Sequence, residues 1–342
     1  MRKVLVKTSK EYEVFIGYNS LSILPNLIKD NVDKIFVITQ KKVPVSSINK
    51  LLNCQIIYVP DSERAKTIKT LQVVAKTMLD NHASRKSLII AYGGGSVTDL
   101  AGYLAASFMR GIKYINVATT LTAQIDAAIG GKTGVNLSTG EKNILGVFYH
   151  PEAVICDLDF LKTLKRTQVL DGLGEMAKYE LIGIKGLFEK SKEEQVFECV
   201  KYKASIVQKD EKEQTGLRSI LNYGHTLAHA LEAYAKRHRK KITHGQAVAI
   251  GICFEGYIAF KLGRIDKEML LHHYDLLSKY QLPTRIPFNI DENEIINLMT
   301  IDKKTKANQL TLVLPGKAGF ELISGINKNL AKTALKEISK VN

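Results

Sequence analysis

The stretch LIIAYGGGSVTDLAGYLAASFMRG, residues 88–111, constrains the fold more than any other part of the chain. A short apolar run ends in Gly93, Gly94 and Gly95, and small and apolar residues follow at helical spacing. Glycine tolerates positive φ and lets the backbone approach another group closely. A helix starting near Ser96 would aim its free N–H groups beyond the turn, an arrangement that suits an anion. Ala101, Gly102, Ala105 and Ala106 keep that helix slim for packing. A GGGS corner is also an ordinary tight strand-to-helix turn, and it is not the G-x-G-x-x-G fingerprint, so a plain Rossmann assignment does not follow.

The flanking segments place this corner in an α/β layer. Residues 34–39, 55–60, 87–92 and 113–120 read as short buried strands, and the N-terminal twenty residues alternate as strands do. Residues 67–82 carry Ile68, Leu71, Val74, Ala75 and Met78 at helical spacing. Such alternation argues a parallel sheet with crossover helices. From about residue 160 helical periodicity takes over, in 172–183, 198–213, 221–238, 245–263 and 267–280, with few strands before 309–316. The expected architecture is an α/β N-terminal domain with a parallel sheet, residues 1–158, followed by a mainly α-helical C-terminal domain, residues 159–342.

A net charge of +15 narrows the partners to acidic ones: nucleic acid, anionic membranes or small anionic substrates. The lysines are scattered and no nucleic-acid motif accompanies them. The densest run, KRHRKK at 236–241, reads most simply as a solvated loop. Four cysteines stand far apart with no C-x-x-C pair, which fits a reducing cytosol. The N-terminus lacks a signal-peptide apolar core, and no apolar run approaches the roughly 18 residues of a membrane span. The expectation is a cytoplasmic protein that binds neither membrane nor nucleic acid.

Two polar constellations carry the chemistry. Residues 118–143 interleave Thr119, Thr120, Asp126, Lys132, Lys142 and Asn143 with glycines, as a phosphate or carboxylate clamp would. A lysine-bearing surface loop is the plainer reading of the same residues. In LNYGHTLAHALE, 221–232, His225 and His229 are four apart and share a helix face, which Arg218 and Asn222 extend backwards. Glu175 and Lys178 share a face in GLGEMAKY, and His244 opens a further helix-like stretch. Spacing alone pairs His225 with His229 on a metal, with Glu175 as a third donor, and leaves His229 open as an acid–base group instead.

Nine stretches in order resemble the 3-dehydroquinate synthase family of the shikimate pathway: PDSERAKT, GGGSVTDLAGYLAASFMRG, TTLTAQIDAAIGGKTGVN, KNILGVFYHP, DLDFLKTL, GLGEMAKY, LRSILNYGHTLAHALE, HGQAVAIG and DKK. The likeness is clear over roughly residues 55–315. It implies a first domain that binds NAD and a second that holds a divalent ion, zinc or cobalt. The implied metal ligands are Glu175, His225 and His244, with His229 turned to substrate, so the spacing argument for the His225–His229 pair yields here. The implied NAD contacts begin with Asp61, Ser62, Glu63, Arg64, Ala65 and Lys66. They continue through Gly95, Ser96, Val97, Thr98 and Asp99, then Thr119 and Thr120, and end with Phe160, Leu161, Lys162 and Thr163. Lys132 and Lys142 fall where cofactor and substrate meet.

The implied substrate contacts are Asp126, Lys132, Asn143, Lys178, Lys203, Arg218, Asn222, His229 and one lysine of DKK, Lys303 or Lys304. Among these, His229, Lys132, Lys178 and Asp126 are the implied catalytic groups. Arg110 matches an arginine that reaches a neighbouring subunit's phosphate pocket, which implies a homodimer. The implied reaction converts the anionic sugar-acid phosphate 3-deoxy-D-arabino-heptulosonate 7-phosphate to 3-dehydroquinate and phosphate. It proceeds by transient oxidation with NAD, phosphate elimination, re-reduction and intramolecular aldol closure. The alternatives are a sibling sugar-phosphate cyclase, an NAD- and zinc-dependent polyol-phosphate dehydrogenase and, remotely, a basic nucleic-acid binder. The last leaves the Glu175, His225 and His244 set unexplained. The chain departs from the family pattern at Glu141, which interrupts GKN, and by an extra residue between Lys203 and Arg218. Gln246 stands for a usual glutamate, Ala118 for a usual proline, and Gln40 where asparagine or aspartate often ends a strand.

Overall fold

The structure is a computed structural model that describes residues 1–137, 142–301 and 310–339. Glu141, Lys303 and Lys304 lie outside the described residues. The chain forms two compact units, Met1–Lys165 with Lys190–Lys212, and Arg166–Glu189 with Glu213–Asn342. The expected boundary at 158 takes no account of 190–212, which returns to the first unit.

The first unit begins with β1 (Arg2–Val6), β2 (Tyr12–Gly17), β3 (Ile35–Gln40), α1 (Ser46–Leu51) and β4 (Gln55–Val59). It continues with α2 (Ile68–Asp80), β5 (Leu88–Gly93), α3 (Gly95–Ser107), β6 (Lys113–Ala118), β7 (Lys132–Val135), β8 (Leu145–Phe148) and β9 (Ala153–Asp157). Seven strands form one sheet in the order β1-β2-β9-β6-β5-β3-β4. Every neighbouring pair is parallel except β1 with β2, so the N-terminal hairpin adds an antiparallel edge to the expected parallel sheet. Crossover helices cover both faces, and the inner strands are accordingly apolar throughout. Alternate residues supply two cores. Phe36, Ile38, Ile89 and Ala91 pack with Val97, Leu100 and Leu104, while Val37, Leu88, Ile90 and Ile115 pack with Leu21 and Leu24.

The order of strand addition reverses between β3 and β5: the path from β3 runs outward to β4, and the path from β5 runs inward to β6. Open parallel sheets bind ligands beyond the carboxyl ends of their strands at such a reversal. Gly93, Gly94 and Gly95 sit there. Residues 132–135, within the stretch that reads as a lysine-bearing loop, pair instead with 145–148 as an antiparallel ribbon.

After β9 the chain enters the second unit with α4 (Arg166–Ile182), and α5 (Lys192–Lys209) returns to the first. The second unit continues with α6 (His225–Arg237), α7 (His244–Lys261), α8 (Lys267–Lys279) and α9 (Glu292–Ile301). It closes with β10 (Leu310–Gly316), β11 (Gly319–Ile326) and α10 (Lys328–Ser339). α7 is apolar almost all round, and α4, α6, α8 and α10 pack about it, which is how such a helix avoids water. Among the described residues no helix is long and apolar enough to cross a membrane.

The structure corrects the reading of 221–238 as one helix. A tight helical turn, Leu217–Asn222, ends at Tyr223, and α6 starts afresh at His225. The break is Gly224, whose φ of +79° no helix continues through. Arg218 and Asn222 therefore do not share a helix face with His225 and His229.

Candidate active site

Three helices of the second unit meet where a glycine adjoins a polar residue: Gly174 with Glu175 on α4, Gly224 with His225 at the start of α6, and Gly245 with His244 at the start of α7. A Cβ on Gly174 would stand 2.3 Å from the Gly245 carbonyl oxygen, and one on Gly245 would stand 2.2 Å from that of Asp171. A Cβ on Gly251 of α7 would stand 1.9 Å from the Gly224 oxygen. Only hydrogen fits at these crossings. The backbones approach closely enough for short side chains of three helices to reach one point.

That point is Glu175, which has no exposed surface. Its Oε1 lies 2.9 Å from His244 Nε2 and 3.2 Å from His225 Nε2, and its Oε2 accepts a hydrogen bond from Lys178 Nζ. Burial alone would raise this carboxyl, but Lys178 and the two histidines outweigh it and hold it well below the usual carboxylate range. Burial lowers His225 despite Glu175 beside it. At His244, burial is overcome by the Glu175 and Glu232 carboxylates, which raise the ring above the usual imidazole range.

The donor geometry fits a metal ion. His225 Nδ1 lies 3.1 Å from the Tyr223 carbonyl oxygen. A carbonyl cannot donate, so Nδ1 carries the hydrogen and the neutral ring presents the Nε2 lone pair to Glu175. Two acceptors at that separation need a cation between them, a proton or a metal. The ligand atoms of Glu175, His225 and His244 all lie within 4.8 Å of one another. Two imidazoles and a carboxylate are a catalytic zinc donor set, whose atoms at ~2.0–2.2 Å from the ion leave a position open for substrate. Glu232 Oε2 stands 3.6 Å behind His244, on the Nδ1 side.

The pair of histidines suggested by spacing is not the set that converges. His229, one turn along α6, is exposed, with its ring centroid 5.6 Å from His225 and 6.4 Å from His244. It borders the cluster but is not one of the three residues whose ligand atoms converge. Arg218 is fully buried, its Nε 3.9 Å from Glu213, and Asn222 is half-buried.

In the first unit the implied NAD segments all leave the carboxyl ends of parallel strands. Residues 61–66 follow β4, 95–99 open α3 after β5, Thr119 and Thr120 follow β6, and 160–163 lie in a helical turn after β9. Thr119 N donates to Gly93 O at 2.9 Å and ties two of these ends together. Glu63 accepts from Asn136 Nδ2 at 2.8 Å, and Asp61 pairs with Lys42. Lys66 is buried and reaches both Asp99 Oδ2 and Asn143 Oδ1 at 2.6 Å, so it joins implied cofactor contacts to an implied substrate contact. Lys203 Nζ donates to Asp126 twice, at 2.7 Å to Oδ1 and 2.6 Å to the backbone oxygen. Lys132 and Lys142 are exposed. Arg110 is exposed in a turn where Met109, Arg110 and Gly111 have φ of 48°, 68° and 120°, a strained way to present a side chain.

Sequence reasoning missed Glu232, Glu255 and the carbonyl of Tyr223. Glu232 had a signal, since it lies seven residues after His225 and thus on its face. Glu255, a lone carboxylate in apolar α7, had a weaker one.

A parallel sheet with an anion-ready corner, and a helical unit holding a Glu–His–His set, define a class of two-unit enzymes that pair a nucleotide site with a metal site. The family profiles of the 3-dehydroquinate synthase N-terminal and C-terminal regions match residues 56–171 and 152–305. The 3-dehydroquinate synthase of Dictyoglomus thermophilum is 37% identical over 96% of this chain and 95% of its own. A putative aminodehydroquinate synthase of Amycolatopsis mediterranei is 37% identical over 93% of this chain and 89% of its own. Among solved structures, 2-deoxy-scyllo-inosose synthase in complex with carbaglucose-6-phosphate, NAD+ and Co2+ superposes with a TM-score of 0.88. It is 26% identical over 98% of this chain and 100% of its own. The chain belongs to the 3-dehydroquinate synthase family and is a lyase of that kind.

Proposed function

We propose that this chain is a 3-dehydroquinate synthase that uses NAD and a zinc or cobalt ion to convert 3-deoxy-D-arabino-heptulosonate 7-phosphate to 3-dehydroquinate and phosphate. The observation that carries the reading is the convergence of Glu175, His225 and His244, with His229 beside them. Glu175, His225 and His244 would hold the ion. The segments after β4, β5, β6 and β9 would hold the dinucleotide, its phosphates facing the first N–H groups of α3. When bound, NAD supplies a reversible oxidation at the substrate's C5 carbon and the ion supplies Lewis acidity there.

The chain's own residues do the rest. His229, exposed beside the cluster, takes and returns the C5 hydroxyl proton. Lys132, Lys142, Lys178 and Arg218 match the negative charges of substrate carboxylate and phosphate, each charge-assisted hydrogen bond contributing roughly 1.5–3 kcal/mol. The substrate's own phosphate would serve as the base for the C–H proton. Asp126, gripped by Lys203, and Asn143, gripped by Lys66, orient substrate hydroxyls. Arg110 would reach a second copy of the chain, and the reading includes a homodimer, checked by analytical ultracentrifugation.

A phosphate-release assay with the heptulosonate phosphate and NAD, with and without a chelator, tests this. Release that stops on chelation and returns with zinc is the expected result, with no net NADH. A sibling cyclase is the second reading, favoured by the inosose synthase fold. Release from glucose 6-phosphate or sedoheptulose 7-phosphate, and not from the heptulosonate, would decide for it.

A further inference from the structure

We infer that Glu255 is a positioning residue for His225, acting through the peptide group that joins Tyr223 to Gly224. The inference deepens the metal reading above and rests on it.

Glu255 lies about three turns into α7 with no exposed surface. Its Oε2 accepts from Gly224 N at 2.8 Å, and the backbone N–H of Thr226 also favours the ionised carboxyl. α6 has no cap of its own: Gly224 at its N-cap has no side chain, and its first turn holds no acidic residue. The N–H that opens the helix, Gly224's, is met instead from the neighbouring helix.

The consequence for the metal ligand follows from peptide geometry. The N–H of Gly224 and the C=O of Tyr223 belong to one planar group. Glu255 holds its N–H end, and His225 Nδ1 leans on its C=O end at 3.1 Å. That carbonyl decides which ring nitrogen carries the hydrogen, and so leaves Nε2 free for an ion. Peptide planes rotate most easily beside glycine. With the N–H end released, the plane can turn, and the carbonyl leaves Nδ1. The imidazole then loses both its tautomer and its direction. Ligand orientation by such outer groups is a general feature of metal sites. Burial holds the carboxyl well above the usual range and the backbone N–H groups facing it only partly oppose this, so a neutral amide can stand in for it.

Competitive zinc titration of the full chain against a chromophoric chelator tests this, with helix content followed by circular dichroism and NAD affinity by calorimetry. Glu255→Gln keeps an accepting oxygen and is expected to bind zinc as wild type does. Glu255→Leu removes the acceptor, and Glu255→Asp retracts it; both are expected to lose roughly 10–100-fold in zinc affinity with NAD affinity unchanged. If Glu255→Leu fails to fold, the Asp and Gln variants decide alone. Leu or Asp variants that bind zinc as tightly as wild type, losing only thermal stability, would overturn the inference and leave the metal reading standing. A wild-type chain that takes up neither zinc nor cobalt would remove both.

Discussion

Glu175 carries its charge without water, and its neighbours decide whether that is tolerable. In the metal-free protein Lys178 and His244 supply the opposing charge and hydrogen bonds. Removing one partner of a buried pair costs about 3–5 kcal/mol. Lys178→Met is therefore expected to destabilise the metal-free chain by about that much in urea unfolding, and saturating zinc to return part of the loss. The histidines separate by role. His225→Ala is expected to lose the ion by elemental analysis. His229→Ala is expected to keep it while turnover falls by roughly 10²–10⁴. Equal metal content in the two variants would undo that division of labour.

At the scale of elements, glycines set the distances. The α4–α7 and α6–α7 crossings are closer than any side chain permits, at Gly174 with Gly245 and at Gly224 with Gly251. Gly251→Ala forces its new methyl against the Gly224 carbonyl, so the helices must part. The expected loss is at least the ~1–3 kcal/mol of ordinary overpacking, and zinc stoichiometry falls with it, because α6 carries His225 and α7 carries His244. Thermal melts and metal analysis on one preparation check both. Unchanged zinc content in a folded variant would show that the site tolerates a wider crossing.

For the whole molecule, pH is the informative variable. His273 is buried on α8, donates Nδ1–H to Met269 O at 2.6 Å, and burial lowers its pKa to about 4. The folded state then binds fewer protons than the unfolded chain between about 4 and the ordinary 6.5, so stability present above 6.5 is lost as pH falls through that window. The full effect is about 3 kcal/mol at most. His273→Leu is expected to match wild type near pH 7 and to exceed it near pH 4, which urea melts across that range check. Glu211 sits in a second window. Desolvation opposes its ionisation, but bonds from Ser9 and His150 prevail and lower it to about 2, so its contribution fades only as pH drops below the ordinary 4.5.

Local order was legible in the chain itself. Short continuous apolar runs specify the inner strands, alternation specifies the N-terminal ones, and the Gly93–Gly95 corner specifies the turn between β5 and α3, because these preferences act between residues close in sequence. That Glu175, His225 and His244 form one set was legible only through the resemblance of nine ordered stretches. Spacing alone joined His225 to His229, and the physical basis of the convergence was not legible. That was decided by Gly224, whose positive φ restarts the helix, and by glycine crossings that bring residues 69 positions apart within 2.9 Å. Long-range approach depends on what each surface meets, and periodicity along one segment carries no record of the segment across from it.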